Sequence, residues 1–158
     1  ENGMIYRNDR TSYTTRLFLA VLLVLCAGLA GCSTHRFMVV EELSKRSRIT
    51  TSELKQLLAK CDHTQLSMNI CAFRDFVATD LELDAALEAK HESVPQQCHA
   101  EIDRTQAAWE TERDRACNEE TEADEGGSMR PMLISACKTT ATRERLLRVK
   151  AIRSCSEV

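Results

Sequence analysis

The sequence predicts an all-α protein, a small disulfide-stapled bundle of about four helices. Beyond residue 51, apolar residues recur at spacings of three and four, which is the period of amphipathic helices. No stretch alternates apolar and polar residues for long enough to predict a β-sheet. Cysteines are spread along the same part of the chain, and few aromatic residues are available for a core. A small domain of this composition would gain stability from cross-links.

Four segments have the length and periodicity of helices, at about 52–60, 65–90, 96–118 and 129–153. Thr51 or Ser52 can cap the first segment, and Pro95 separates the second from the third. Ser128 is the expected N-cap of the fourth, because it follows a Gly-Gly turn and Pro131 lies within the first helical turn.

The third segment contains the only tryptophan of the chain. Ile102, Trp109 and Ala116 recur at seven-residue spacing, and Gln106 and Arg113 fall between them on the same side. We therefore expect Trp109 to lie on the buried stripe of an amphipathic helix.

Residues 1–31 have the features of an export signal. Arginines precede an uncharged apolar run at 17–30, which is shorter than the about 20 residues of a bilayer span. The run ends in the sequence LAGC, which resembles the lipobox of bacterial lipoproteins. This resemblance implies lipidation of Cys32 and membrane attachment through that lipid. Ser33 rather than Asp follows the cysteine, which by resemblance to the sorting rules of double-membrane bacteria implies the outer membrane, facing the periplasm. The alternatives are a secreted protein cut near Ala30 and an uncleaved anchor helix.

Residues 32–51 are mixed and basic, with Lys45, Arg46 and Arg48, and they predict a solvated tether that follows the lipidated cysteine. An alternative is contact between these cations and anionic lipid, although three charges are few for a polybasic signal. The remaining residues, 52–158, are expected to form one helical domain.

Six cysteines are left once Cys26 in the signal and Cys32 are set aside: Cys61, Cys71, Cys98, Cys117, Cys137 and Cys155. An even set beyond an export signal predicts structural disulfides in an oxidising compartment, and the residues alone leave their pairing open. The alternative is a metal or redox site. No C-x-x-C occurs, and the histidines lack ligand spacing, so we predict neither a metal nor a cofactor.

Charge is unevenly distributed in the predicted domain. Between residues 99 and 125, ten acidic side chains accompany three arginines, whereas between 129 and 158, seven basic side chains accompany two acidic ones. Either the last two helices lie side by side with complementary faces, or the acidic stretch at 119–125 faces a basic partner and steers its approach. The negative net charge argues against nucleic acid, and no nucleophile has a base and an orienting group in a familiar pattern, so we predict a protein that is not an enzyme.

Two groups of residues form a recognisable motif. The first is Met68 to Ala72 followed by Asp80 and Leu83, and the second is Gln106, Trp109, Arg113, Asp114, Cys117, Gly126, Gly127, Ser128, Cys137, Thr142, Arg143 and Leu146. Their order resembles the LprI-type lysozyme-inhibitor family of bacterial envelope proteins. The resemblance implies a helical domain that binds and inhibits a lysozyme or related muramidase. It also implies the disulfides Cys61–Cys71 and Cys117–Cys137, and then Cys98–Cys155.

A protein partner of this kind suggests which side chains to test. Lysozyme clefts act through carboxylates, so a blocking group would be a hydrogen-bond donor, while acidic residues meet the basic rim. The candidate donors are Arg113, Ser128, Arg130 and Lys138, and the candidate acids are Glu119 and Glu120. In a competing interpretation, Arg113 and Asp114 form an internal ion pair beside Trp109. The alternative function is a non-catalytic periplasmic adaptor or immunity-type module that binds another envelope protein or a toxin.

Overall fold

A computed structural model describes residues 38–154, which form five α-helices and contain no strand. We label them in chain order: α1 covers residues 38–47, α2 Thr51–Leu58, α3 Gln65–Ser93, α4 His99–Glu120 and α5 Arg130–Ala151. The predicted all-α fold is confirmed. The expected signal at 1–31, the expected lipidation site Cys32 and the last expected disulfide residue, Cys155, lie outside the described residues. Within 38–154, no helix has the length and apolar character needed to cross a membrane.

Helices α3 and α5 lie side by side and run in the same direction. At one end, the side-chain amide of Asn69 donates to the carbonyl of Ser128, just before α5, at 3.0 Å. At the other end, Lys90 Nζ donates to the carbonyl of Ile152, just after α5, at 2.8 Å. The start of α3 therefore lies near the start of α5, and the two helices also end near each other.

Helix α4 runs in the opposite direction to α3 and α5. Near its C-terminal end, Cys117 is bonded to Cys137 in the first part of α5. Nearer its N-terminal end, Gln106 Oε1 accepts a hydrogen bond from Arg145 Nε in the last part of α5, at 3.0 Å. The three long helices thus form an up-down-up bundle, and the turn between α4 and α5, residues 121–129, lies at one end of it.

Helix α2 begins one residue earlier than the sequence predicts. Its N-cap is Thr50, not Thr51 or Ser52, and the Thr50 hydroxyl accepts from the backbone N–H of Glu53. The Glu53 carboxylate in turn accepts from the backbone N–H of Thr50 at 3.1 Å. This reciprocal capping box satisfies two otherwise unpaired backbone donors, and only Thr50 has a glutamate three positions later.

Residues 38–47 form helix α1, where the sequence predicts a solvated tether, and this part of that prediction is corrected. Val39 is 6% exposed and Leu43 is fully buried, and both pack in a core cluster. The buried partners of this cluster are Leu54, Ile70 and Val77. A helix is formed because Val39 and Leu43 are four residues apart and therefore lie on one face, which α2 and α3 cover.

Because Leu43 is fully buried, truncating it should destabilise the protein. Leu43→Ala is expected to lower the free energy of unfolding by about 2–5 kcal/mol, since it removes buried methyl groups and leaves a cavity. Leu147→Ala is the matched control, because Leu147 is 70% exposed and should cost little. Chemical denaturation of both variants tests this. Equal midpoints for Leu43→Ala and the parent chain would mean that α1 does not contribute to the folded domain.

Candidate functional site

A buried guanidinium, that of Arg113 on α4, connects the three long helices. The Arg113 side chain is 7% exposed; its Nη1 lies 3.1 Å from Asp80 Oδ1 on α3, and its Nε lies 2.9 Å from Asp114 Oδ1. Nη1 also donates to Thr142 Oγ1 on α5 at 3.3 Å. One cationic side chain on α4 is thus tied to α3 through Asp80 and to α5 through Thr142, and each of these hydrogen bonds is charge-assisted because the guanidinium is ionised.

Two aromatic rings flank this guanidinium. Arg113 Cζ lies 5.0 Å from the ring centroid of Phe76 and 5.0 Å from that of Trp109. Both distances lie within the range of cation–π attraction, which is stronger when the cation is removed from water. Trp109 is half-buried and packs against a second core cluster, formed by Leu83, Leu146 and Val149. Its predicted place on the buried side of the helix is confirmed.

The buried stripe of α4 differs in one position from the prediction. It runs through Ile102, Gln106, Trp109, Arg113 and Cys117. Ala116, predicted on the stripe by seven-residue spacing, is exposed. After Arg113 the helix continues its period of 3.6 residues, so Cys117, four residues on, takes the inward position and Ala116 turns outward.

Lys138 extends the ion pairs around Asp114. Lys138 Nζ lies 3.0 Å from Asp114 Oδ2 and 5.6 Å from the ring centroid of Phe76, and its side chain is 18% exposed. Burial alone would raise the pKa of Asp114, but hydrogen bonds from Lys138 and Arg113 outweigh it, and the pKa of Asp114 lies below its usual value. Asp114 is therefore a stable carboxylate held between two cations.

The same network reaches α1 through Asp80. Arg46 Nη1 lies 2.6 Å from Asp80 Oδ2, and Arg46 Nε lies 2.8 Å from Glu42 Oε1. One turn along α3, burial and the neighbouring charge of Asp80 raise the pKa of Asp84. Asp80 thus receives one cation from α1 and one from α4, and it couples the first helix to the bundle.

Three of the four candidate donors, the cationic ones, are engaged within the chain. Arg113 and Lys138 lie in the network just described, and the internal pair of Arg113 with Asp114 is present. Arg130 Nε donates to the carbonyl of Thr121 at 3.1 Å, close to the C-terminus of α4. Ser128 is exposed in the turn, and its carbonyl accepts from Asn69 as described above. Basic side chains in this part of the molecule therefore hold the fold together.

The candidate acids, in contrast, face solvent at the end of α4. Glu119 and Glu120 are both exposed, and Glu119, whose side chain is 60% exposed, pairs with Arg115. Further exposed carboxylates follow in the turn at Glu122, Asp124 and Glu125. We call these five residues the acidic edge.

The α4–α5 turn that carries much of this edge is fixed at both sides. Gly126 has a φ of 77°, a left-handed conformation that favours glycine. The Cys117–Cys137 disulfide, with a Cα–Cα distance of 5.7 Å, joins the two helices next to the turn. The prediction that Ser128 is the N-cap of α5 is wrong. Met129 occupies that position in a helical conformation and makes no side-chain cap. The chain already turns before Met129, because the N–H of Arg130 bonds to the carbonyl of Gly127.

Two of the three disulfides that the family resemblance implies lie within the described residues. Cys61–Cys71 and Cys117–Cys137 are both present. Cys98 is fully buried and disulfide-bonded. Among residues 38–154, no group of histidine, cysteine and acidic side chains is arranged to hold a metal ion.

Two grooves flank the α4–α5 turn. The first, between α4 and α5, has a volume of about 720 Å³ and includes Ala116, Leu133, Ala136, Ala141, the Cys117–Cys137 disulfide and the carboxylates Glu120, Asp124 and Glu144. The second, between α3 and α5, has a volume of about 540 Å³ and includes Ile70, Phe73, Pro131 and Ile134. Both grooves and the acidic edge thus lie at the same end of the bundle.

Asp80 and Phe76, which complete the Arg113 site, are not among the predicted site residues. Phe76, Asp80 and Leu83 are spaced by four and three residues, which places them on one face of α3. That spacing predicts a shared face of α3. It does not predict that this face meets Arg113, because Asp80 and Arg113 are 33 residues apart in the chain.

Comparison with known proteins adds to this geometry. The family model described as lysozyme inhibitor LprI matches residues 59–148, more than half of the chain. The chain belongs to the LprI lysozyme-inhibitor family. The LprI match contains Asp80, Trp109, Arg113 and the Cys117–Cys137 disulfide.

Related proteins add little to the functional assignment. An uncharacterized protein of Rhizobium meliloti (strain 1021) is 32% identical over 107 residues, which cover 60% of this chain and 77% of that protein. No solved structure matches the chain. The LprI match begins at residue 59, so helices α1 and α2 lie entirely outside it.

Proposed function

We propose that this LprI-family protein is a lipid-anchored protein of the bacterial envelope that binds and inhibits a lysozyme through its acidic edge. It acts as a binding protein, not as an enzyme. The family match supports the inhibitor function. The observation that supports the acidic edge as the contact surface is the contrast between exposed carboxylates and internally engaged cations at the same end of the bundle.

This contrast changes the inhibitory mechanism that the sequence suggested. A cationic donor can enter among the cleft carboxylates of lysozyme only if it first leaves its partners within this chain. Freeing Arg113 would take one of two cations from each of the partly buried carboxylates Asp80 and Asp114, which is costly. The acidic edge needs no such rearrangement. It can approach the basic rim of a lysozyme, add electrostatic attraction to the encounter and cover the cleft mouth.

The proposed location follows from the N-terminal segment. Lipidation at Cys32 would hold the protein on a membrane, and Ser33 favours the outer membrane and the periplasmic face. A lysozyme that enters the envelope would then meet the inhibitor before or while it attacks peptidoglycan.

Lysozyme turnover is the direct test. The full chain, with its disulfides formed, is expected to slow the clearing of a peptidoglycan suspension by at least one of c-type, g-type and i-type lysozymes. Replacing Glu122→Gln, Asp124→Asn and Glu125→Gln together should weaken inhibition by about tenfold at low ionic strength, because steering charges are lost. The difference should shrink as salt is added.

The matched control removes the same charge elsewhere. Asp62, Glu82 and Glu88 are exposed, and among the described contacts none of them forms an ion pair. Their combined replacement by Asn, Gln and Gln should leave inhibition close to that of the parent chain. Equal losses in the two triple variants would argue for a general charge effect, and no inhibition of any lysozyme at tens of micromolar would reject the inhibitor function.

A second candidate function is supported by the groove between α3 and α5. Leu66 is 54% exposed and Met129 is 48% exposed, and both lie next to residues that line this groove. An apolar surface of this kind suits docking on another envelope protein. If lysozyme is not inhibited, an adaptor or immunity-type module becomes the preferred function, and cross-linking in the envelope with a probe at Met129 tests it.

A further inference from the structure

The groove between α4 and α5 combines an apolar floor with a carboxylate rim. Its floor is formed by small or apolar groups, namely Ala116, Leu133, Ala136, Ala141 and the Cys117–Cys137 disulfide. Ala116 and Ala136 are exposed, so the floor is open to solvent. Its volume of about 720 Å³ is enough for a long side chain and the backbone that carries it.

The rim carboxylates are available for a ligand. Glu120 and Asp124 form no ion pair within residues 38–154. Glu144 pairs only loosely with Arg148, at 3.7 Å, and its side chain is 65% exposed. The one cation that lines the groove, Arg113, is already neutralised by Asp80 and Asp114.

We infer that this groove binds a lysine or arginine side chain of the partner protein. Such side chains lay their methylene stems along apolar surface and keep the charged head in a polar environment. Here the stem would lie over Ala116 and Ala136, and the head would reach Glu120, Asp124 or Glu144 at the rim. An arginine has the further advantage of binding a carboxylate through two parallel hydrogen bonds.

The inference deepens the proposed function, since the lysozyme that supplies the basic side chain rests on that proposal. It also adds a requirement that the acidic edge alone does not impose. Long-range steering depends on charge and tolerates changes of shape, whereas a side chain seated in a groove depends on the space above the two alanines.

Blocking the groove by volume, without changing charge, separates these effects. Ala116→Trp should fill the groove, because Ala116 is an exposed residue of its floor. Ala108→Trp makes the same substitution at another exposed alanine of α4 that does not line the groove. In a binding titration with c-type lysozyme, Ala116→Trp should lose at least about tenfold in affinity, and Ala108→Trp should stay within about twofold.

A second variant covers the case in which Ala116→Trp fails to fold. Ala136→Trp blocks the groove from α5, and Ala136 is also exposed. Thermal melts identify the variants that keep the fold. If a folded groove-filling variant inhibits lysozyme as well as the parent chain, the groove inference is overturned while the proposed function stands.

A peptide probe tests the groove independently of lysozyme, so the groove inference can hold even if the lysozyme assignment fails. An oligoarginine peptide titrated into the isotope-labelled full chain should shift the amide resonances of Ala116, Ala136 and Glu144, and Ala116→Trp should abolish these shifts. The neutral citrulline counterpart should not produce them. Shifts that are spread over all exposed acids, or that persist in Ala116→Trp, would overturn the inference. If lysozyme is not inhibited but the peptide binds in the groove, the groove stands and the lysozyme assignment fails.

Discussion

Arg113→Met is expected to lower the free energy of unfolding by about 3 kcal/mol, the lower part of the range for breaking a buried ion pair. The Arg113 side chain is 7% exposed and pairs with Asp80 and Asp114. Its removal leaves each carboxylate with one cation, Arg46 or Lys138, which moderates the loss. Equilibrium denaturation of the purified variant measures it.

A neighbouring arginine supplies the control for this experiment. Arg115 also has two ion pairs, with Glu112 and Glu119, but its side chain is 54% exposed. Arg115→Met is therefore expected to unfold close to the midpoint of the parent chain, because exposed pairs contribute little. If both variants lose the same free energy of unfolding, burial of Arg113 is not the reason that its ion pairs stabilise the fold.

The Arg113 effect should also depend on pH. Hydrogen bonds from Lys138 and Arg113 hold the pKa of Asp114 below its usual value despite the opposing effect of burial. A carboxyl whose pKa is lowered on folding stabilises the folded state above its unfolded pKa, and loses this contribution as the pH falls through its folded pKa. The stability difference between the parent chain and Arg113→Met should thus be complete at neutral pH and shrink below about pH 4. A difference that does not change with pH would argue against the carboxylate contacts.

Removing the Cys117–Cys137 disulfide is expected to have a similarly large effect. The cysteines are separated by 20 residues in sequence, and closing a loop of this length stabilises the folded chain by about 3 kcal/mol on the chain-entropy model. The variant carries Cys117→Ala and Cys137→Ala together, so neither cysteine of this pair is left as a free thiol. Its thermal midpoint and denaturant midpoint should both fall.

The other short disulfide provides a comparison for function. Cys61 and Cys71 are separated by 10 residues and lie at the junction of α2 and α3. Removing this bond should cost nearly as much stability, about 3 kcal/mol, since loop length enters only logarithmically. Only the Cys117–Cys137 variant should also lose lysozyme binding when compared at a temperature where both are folded, because its disulfide forms part of the groove floor and adjoins the turn. Equal binding by both variants would separate the proposed contact surface from this turn.

The long helices could be predicted from the sequence because their periodicity is sustained. Helices α3, α4 and α5 each begin and end within about three residues of the predicted limits. Helix α1 could not be predicted in this way. Its inward face has only two buried residues, Val39 and Leu43. Its cations favoured the interpretation as a solvated segment, whereas in the structure Arg46 pairs with Asp80.

The candidate site was predictable in its parts but not in its connections. The motif singled out Trp109, Arg113 and Asp114, and the pairing of Arg113 with Asp114 is local in sequence. The contact between Arg113 and Asp80 joins two helices, and periodicity specifies a face of a helix but not the helix that it meets. The same limit explains why Lys138 was a candidate donor: its partner Asp114 belongs to another helix.

The packing of helix α1 in the core cluster has a consequence for how far the protein can reach from a membrane. If Cys32 carries a lipid, only six chain positions separate this anchor from Met38, the first described helical residue. Six residues of chain span at most about 22 Å. The bundle would then be confined to a thin layer next to the bilayer, where its effective concentration is high, and it would meet an incoming muramidase at the membrane surface and not deep in the cell wall.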